Sequence, residues 1–216
     1  ALPFYQTVRN KNPQPISVAP TLIAGPMLKG LETFYVAFGT GKYLENSDVT
    51  NTKQQSFYVL FDNGEATSDS NAAITGTSRL QAATIDTSSL KINVPKFIWG
   101  RPEKDADAVK IKSGWYFDFP VTAERMIYSG INPGASYISF NSIIPGANQV
   151  NQAVCMADTA SSNIYIVNIT TGSGFYRVSG IVGGSLSLDN EEKTFTESFD
   201  STGRAKRTIV KEIWND

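Results

Sequence analysis

The sequence predicts an all-β protein, and three observations carry that reading. Short segments rich in aromatic and β-branched residues recur from end to end, bounded by Gly, Pro, Asn, Asp or Ser. Sustained 3.6-residue periodicity is missing; only 26–32 and 44–51 have room for a helical turn. Finally, one strand-pair pattern occurs twice along the chain.

Taken in order, strands are expected near 16–24, 33–38, 56–62, 79–85 and 92–98. Others follow near 114–119, 124–129, 136–144, 163–169 and 175–181, and two close the chain near 193–199 and 206–214. Asp62-Asn63-Gly64 and Thr171-Gly172 supply the positive-φ positions of tight hairpins, and Asn132-Pro133-Gly134 joins two strands in the same manner. The small, polar stretch 64–78 and the charged stretch 101–108 read as mobile surface loops rather than linkers, because strands of the same character resume beyond each.

The repeat begins with Phe34-Tyr35-Val36-Ala37-Phe38 and Ser56-Phe57-Tyr58-Val59-Leu60. Ser136-Tyr137-Ile138-Ser139-Phe140 and Asn163-Ile164-Tyr165-Ile166-Val167 echo it, and each pair runs into a Gly turn. The spacing places the two units either two blades apart, or one blade apart with a large insertion, on a blade length of roughly 40 to 50 residues. Antiparallel four-stranded units in series suggest a β-propeller; a sandwich would give similar strands without the echo. About twelve strands make about three blades, against roughly four to eight in a ring. Residues 1–216 are therefore expected to form a single domain holding the closing part of a larger, incomplete ring.

Composition narrows function. Of 216 residues, 41% are hydrophobic and 18% charged, which suits a packed core. A formal net charge of −1 provides no electrostatic grip on nucleic acid. The local cluster Arg204, Lys206, Arg207 and Lys211 reads as a solvated strand face. No apolar run is long enough to span a membrane as a helix. With no histidine in the chain, Ser-His-Asp and Cys-His catalysis have no base, and the commonest transition-metal ligand is missing. The single cysteine, Cys155, cannot form an internal disulfide, and it reads as a small buried residue rather than a nucleophile.

Site-like motifs mostly reduce to structure. Phe38-Gly39-Thr40-Gly41-Lys42-Tyr43 invites comparison with a phosphate loop, but the spacing is wrong and Tyr43 stands where a magnesium-binding hydroxyl is needed. Asp105, Asp107 and Asp62-Asn63-Gly64-Glu65 are too short for a calcium loop. Gly114-Trp115-Tyr116-Phe117-Asp118-Phe119-Pro120 is an alternating aromatic strand. Core packing is its expected role, with Trp115 and Phe117 buried and Asp118 turned to solvent or a backbone cap; a sugar-stacking platform is the alternative. Glu124 and Arg125 are adjacent, so they face opposite sides and do not pair with each other. No catalytic, cofactor or metal residue is assigned.

Several of these motifs together resemble the PilC/PilY family of type IV pilus tip-associated proteins. The resemblance rests on Tyr35-Val36-Ala37-Phe38-Gly39-Thr40-Gly41-Lys42-Tyr43-Leu44 with Asp48 and Gln55-Ser56-Phe57-Tyr58, then on Gly114 to Pro120 with Glu124-Arg125. Ser142-Ile143-Ile144-Pro145, Tyr165 before Thr171-Gly172, and Lys211-Glu212-Ile213-Trp214 follow in the same order, so it spans nearly the whole chain. It implies the closing blades of a propeller like that of the quinoprotein dehydrogenases. It further implies an exported protein at the bacterial surface, at the pilus tip or outer membrane, acting in pilus biogenesis, twitching motility and host-cell adhesion. The implied partners are the rest of the propeller, minor pilins of the pilus and a host-cell receptor. The family's calcium loop would lie upstream and has no match here, so no cofactor is expected in this chain. A carbohydrate-binding module and a quinoprotein-like enzyme are the alternative functions.

Overall fold

In the computed structural model, the described residues are 4–65, 74–102, 108–134, 136–146 and 160–179, with the backbone of three further strands. The N-terminal segment forms β1 (Tyr5–Gln6), β2 (Val8–Arg9) and β3 (Asn12–Pro13). There follow β4 (Thr21–Ala24), β5 (Phe34–Gly39), α1 (Asn46–Val49) and β6 (Ser56–Asp62). Six short strands come next: β7 (Ile74–Thr75), β8 (Gln81–Ala82), β9 (Thr84–Asp86), β10 (Lys91–Asn93), β11 (Ile98–Trp99) and β12 (Ile111–Lys112). Then come β13 (Gly114–Asp118), β14 (Ile131–Gly134), β15 (Tyr137–Asn141), β16 (Ser162–Asn168) and β17 (Gly174–Ser179). The last strands are β18 (Ser185–Leu188), β19 (Lys193–Phe199) and β20 (Ala205–Lys211).

Two of the sheets contain a four-stranded antiparallel meander, β4-β5-β6-β13 and β14-β15-β16-β17, which is the unit of a propeller blade. A third meander, β18-β19-β20, is also antiparallel. The echoed motifs are the second and third strands of the first two blades, so these blades are neighbours, and residues between β6 and β13 form the insertion that stretches their spacing. Among the described residues no helix is long and apolar enough to cross a membrane.

The core lies between the blades. Phe57, Val59, Trp115 and Phe117 of the first face Ile138, Phe140, Tyr165 and Val167 of the second in one buried cluster. Phe57 stacks on Phe140 with centroids 4.3 Å apart, and Phe140 on Tyr165 at 4.8 Å. The Trp115 indole N–H donates to the Ile169 carbonyl at 2.8 Å, satisfying the one polar atom that its burial strands. Strand β6 is buried on both faces, which explains its uninterrupted apolar run: its alternate residues Tyr58 and Leu60 enter a second cluster with Phe38, Leu80 and Tyr116.

The insertion is not just a loop. Its β8 pairs in parallel beside β13, while β10 and β9 extend the second sheet beyond β17, so one excursion lines the last strand of both blades. Trp99 from the insertion donates to the Thr170 carbonyl at 3.1 Å. At the opposite edges β4 and β14 are linked where the Thr21 hydroxyl donates to the Gly130 carbonyl at 2.8 Å.

Several expectations need correction. Gly64 does adopt φ +75°, but Asp62-Asn63-Gly64 opens the insertion instead of a tight hairpin, since β6 pairs with β13. Asn132-Pro133-Gly134 belongs to the edge strand β14, where proline's missing N–H faces no partner strand. The expected strand at 16–24 shrinks to Thr21–Ala24, because Pro15 and Pro20 cannot donate to a ladder. The stretch 124–129 is a connector whose one β-bridge among the described residues is Arg125–Ile143. At 26–31 a tight turn replaces the helical turn, with Lys29 at φ +51° and Gly30 at +79°, whereas 44–51 does contain the one-turn α1. Cys155, Asp105, Asp107 and Arg204 lie outside the described residues, as does most of 64–78 and 101–108.

Candidate functional site

The motif residues converge where the first blade hands over to the second. Strand β5 ends at Phe38-Gly39, and Thr40 closes the base of the following loop: its N–H donates to the Ser56 carbonyl at 2.9 Å, and its hydroxyl accepts from Ser56 N–H at 2.9 Å. The connector after β13 then crosses directly over the two glycines. A Cβ on Gly39 would sit 2.5 Å from Met126 Cβ, and one on Gly41, at φ +118°, would sit 2.3 Å from Arg125 Cβ. Glycine is needed here for close approach, not for a phosphate.

The loop is organised around Asp48, which is 1% exposed. Its carboxylate accepts the N–H groups of Leu44 and Glu45 at 2.9 and 3.0 Å and lies 3.4 Å from the Lys42 ammonium. Burial works against the ionised form of Asp48, yet these donors and Lys42 together hold its pKa below the usual carboxylate value. Lys42 also pairs with Glu45 at 2.6 Å, and Tyr43 beside it is half-buried.

Arg125 then enters from the connector. Its Nη1 donates to the carbonyls of Lys42 at 2.8 Å and Asp48 at 2.7 Å, and its Nη2 to that of Asn51 at 2.7 Å; Nε reaches Ala123 at 3.1 Å. Three loop carbonyls converge on a cation, and the cation is the guanidinium itself. Burial pushes the Arg125 pKa down while Asp48 draws it back up.

Glu124, one residue earlier, turns to the second blade. Its Oε1 accepts from the Ser142 hydroxyl, from Asn163 Nδ2 at 2.9 Å and from the Tyr165 hydroxyl at 2.6 Å. Arg125 meanwhile exchanges both backbone hydrogen bonds with Ile143. The Glu124-Arg125 dipeptide is therefore a two-sided clamp: one side chain grips the loop of the first blade, the other the strands of the second.

The aromatic strand supports this junction from within. Trp115 is fully buried and Tyr116 only 9% exposed, so neither forms a sugar platform. Half-buried Pro120 ends the strand, which starts at Gly114. Asp118 corrects the expectation of a solvent-facing carboxylate: it accepts a forked pair from Arg9, with Nη2 at 2.7 Å, and the Ser56 hydroxyl at 2.7 Å. Arg9 thereby pins residues 4–14 across the outer face of the first blade. Tyr5 lies 5.4 Å from Tyr58 there, and the Tyr58 hydroxyl donates to Gln14. Burial pushes the Tyr58 phenol up to about 12. Arg9 and Gln14 were not legible as partners, because their contacts lie 109 and 42 residues away along the chain.

Chemically the site binds its own chain. Among the described residues no group of three or more His, Cys, Asp or Glu side chains could hold a metal ion. The fold and this junction define a propeller whose most distinctive side chains are spent on joining blades. A model of the PilY1 β-propeller domain matches residues 2–94. Type IV pilus biogenesis factors PilY1 from Pseudomonas aeruginosa strains PAO1 and PAK are each 30% identical over 130 residues, covering 55% of this chain and 11% of the relative. Over these residues the chain is similar to the PilC/PilY family. It spans about a tenth of the length of these relatives, 11%, and no solved structure matches it.

Proposed function

We propose that this chain is a rigid propeller segment of an exported, type IV pilus-associated protein, which supports pilus assembly and extension through protein contacts and not through catalysis. The observation that carries the reading is the clamp: Glu124, Arg125, Asp48 and the glycines of the 39–44 motif all serve the blade junction. The names of the relatives add the pilus context. Twitching motility and host-cell adhesion are the downstream activities, minor pilins and a host-cell receptor the partners, and the bacterial surface the site of action. The remaining blades of a larger ring pack against those described above.

The test is genetic and uses the full-length protein in its own bacterium. An in-frame deletion of this segment, and separately Arg125→Met, are expected to reduce sheared surface pili and twitching zones. Normal piliation and twitching in the deletion strain would refute the proposal.

A further inference from the structure

The clamp has an unbalanced half. All three side-chain donors around Glu124 point at one carboxyl oxygen, Oε1. The other, Oε2, is buried and has no donor, and the Oδ1 of Asn163 is buried without one as well. Two bare, buried acceptors beside Tyr165 are costly if Glu124 is ionised, because a buried acceptor without a donor forfeits its hydration. Asn163 Nδ2 already donates to Oε1, which is half of the paired arrangement that a carboxylic acid and a primary amide form. One proton on Oε2 provides the missing donor, and Asn163 Oδ1 is the acceptor left open for it.

We infer that Glu124 is a neutral carboxylic acid sharing its proton with Asn163, so that the junction between the first and second blades is a proton-dependent latch. The groups facing it are consistent with this. Tyr165 from β16 and Tyr176 from β17 are titratable side chains on the second blade's side, both neutral, with phenols raised first by burial. Arg125, the adjacent cation, spends its guanidinium on the loop carbonyls. Burial drives the Glu124 carboxyl above its ordinary value, against the hydrogen bonds from Ser142, Tyr165 and Asn163. The proton comes from solvent, and no other bond changes.

The sign of the linkage follows. The folded chain holds this proton more tightly than the unfolded chain, so the latch contributes fully below the unfolded pKa. Its contribution falls by about tenfold in the folding constant per pH unit between the unfolded and the folded pKa, and is fully lost once pH has risen through the folded pKa.

The test combines Glu124→Gln, the uncharged isostere of the protonated acid, with infrared spectroscopy and urea unfolding across pH on the full chain. The wild type is expected to show a carboxylic-acid C=O stretch near neutral pH that is missing in the variant, and to lose more stability than the variant as pH rises from the ordinary carboxylate range toward the folded pKa of Glu124. Should Glu124→Gln fail to fold, a wild-type band that persists while stability falls from the ordinary carboxylate range upward, and that is lost only on further alkaline titration, supports the latch by itself. The inference is overturned if the wild type has no such band at neutral pH. Superimposable pH profiles for the two proteins overturn it too. So does wild-type stability that rises with added sodium or calcium and not with acid, which would place a cation at Oε2.

Discussion

Replacing Arg125 by Met is the sharpest test of the clamp. Met keeps most of the aliphatic stem and its packing while removing the charge and the planar fork. Three loop carbonyls lose their donor: those of Lys42, Asp48 and Asn51, each 2.7 to 2.8 Å away. A hydrogen bond from a charged group nets about 1.5–3 kcal/mol, but Lys42 and Asn51 are only half-buried, and their carbonyls recover water. The Asp48 carbonyl sits in a residue that is 1% exposed and recovers little. The expected cost is therefore about 3–5 kcal/mol, the range for breaking one side of a buried charged contact. At a urea slope of about 1–3 kcal/mol per M, the unfolding midpoint falls by about 1 M or more. Arg125→Lys is expected to recover less than half of the loss, because an ammonium cannot address three diverging carbonyls at once. Unfolding followed by tryptophan fluorescence reads both variants. A midpoint for Arg125→Met equal to the wild type would refute the clamp; full recovery in Arg125→Lys would show that charge alone, not the fork, is what the loop requires.

Further outcomes follow from the same geometry. Trp115→Ala empties a fully buried site and orphans the Ile169 carbonyl, so a loss of about 3–5 kcal/mol is expected in the melting curve; an unchanged melting temperature would mean that the indole is not packed between the blades. Gly41→Ala forces a Cβ to 2.3 Å from Arg125 at an unfavourable φ, and is expected to open the 42–51 loop to protease before the sheets unfold; wild-type cleavage kinetics would contradict the close approach. Asp118→Asn removes the charge that Arg9 grips. It is expected to expose the 4–14 segment to trypsin while costing at most about 1 kcal/mol of global stability, since the pair is partly solvated. Retention of wild-type trypsin resistance there would assign the anchoring of the segment to its aromatic contacts instead.

How much of this was legible in the chain depends on the range of the interactions. Alternation and turn chemistry are local, so the strand class, the echoed pair of strands and the burial of Trp115 and Phe117 could be read directly from residue order. The opposed directions of Glu124 and Arg125 were expected from alternation along a strand, and they hold although the segment is a connector. The absence of histidine bounds the chemistry from composition alone. Partnership was another matter. Periodicity cannot say which strand pairs with β6, and only the fold shows that its neighbour is β13, across an insertion that lines both blades. The Gly-Thr-Gly-Lys stretch was legible as something other than a phosphate loop, but what fills it was not. Its true occupant, the Arg125 guanidinium, arrives from 83 residues along the chain to meet Lys42. Asp118 looked solvent-bound for the same reason, its partner Arg9 being 109 residues away. Backbone preference and side-chain alternation are encoded within a few residues of each position, whereas the pairing of buried charges is decided only when distant segments are brought together and water is excluded between them.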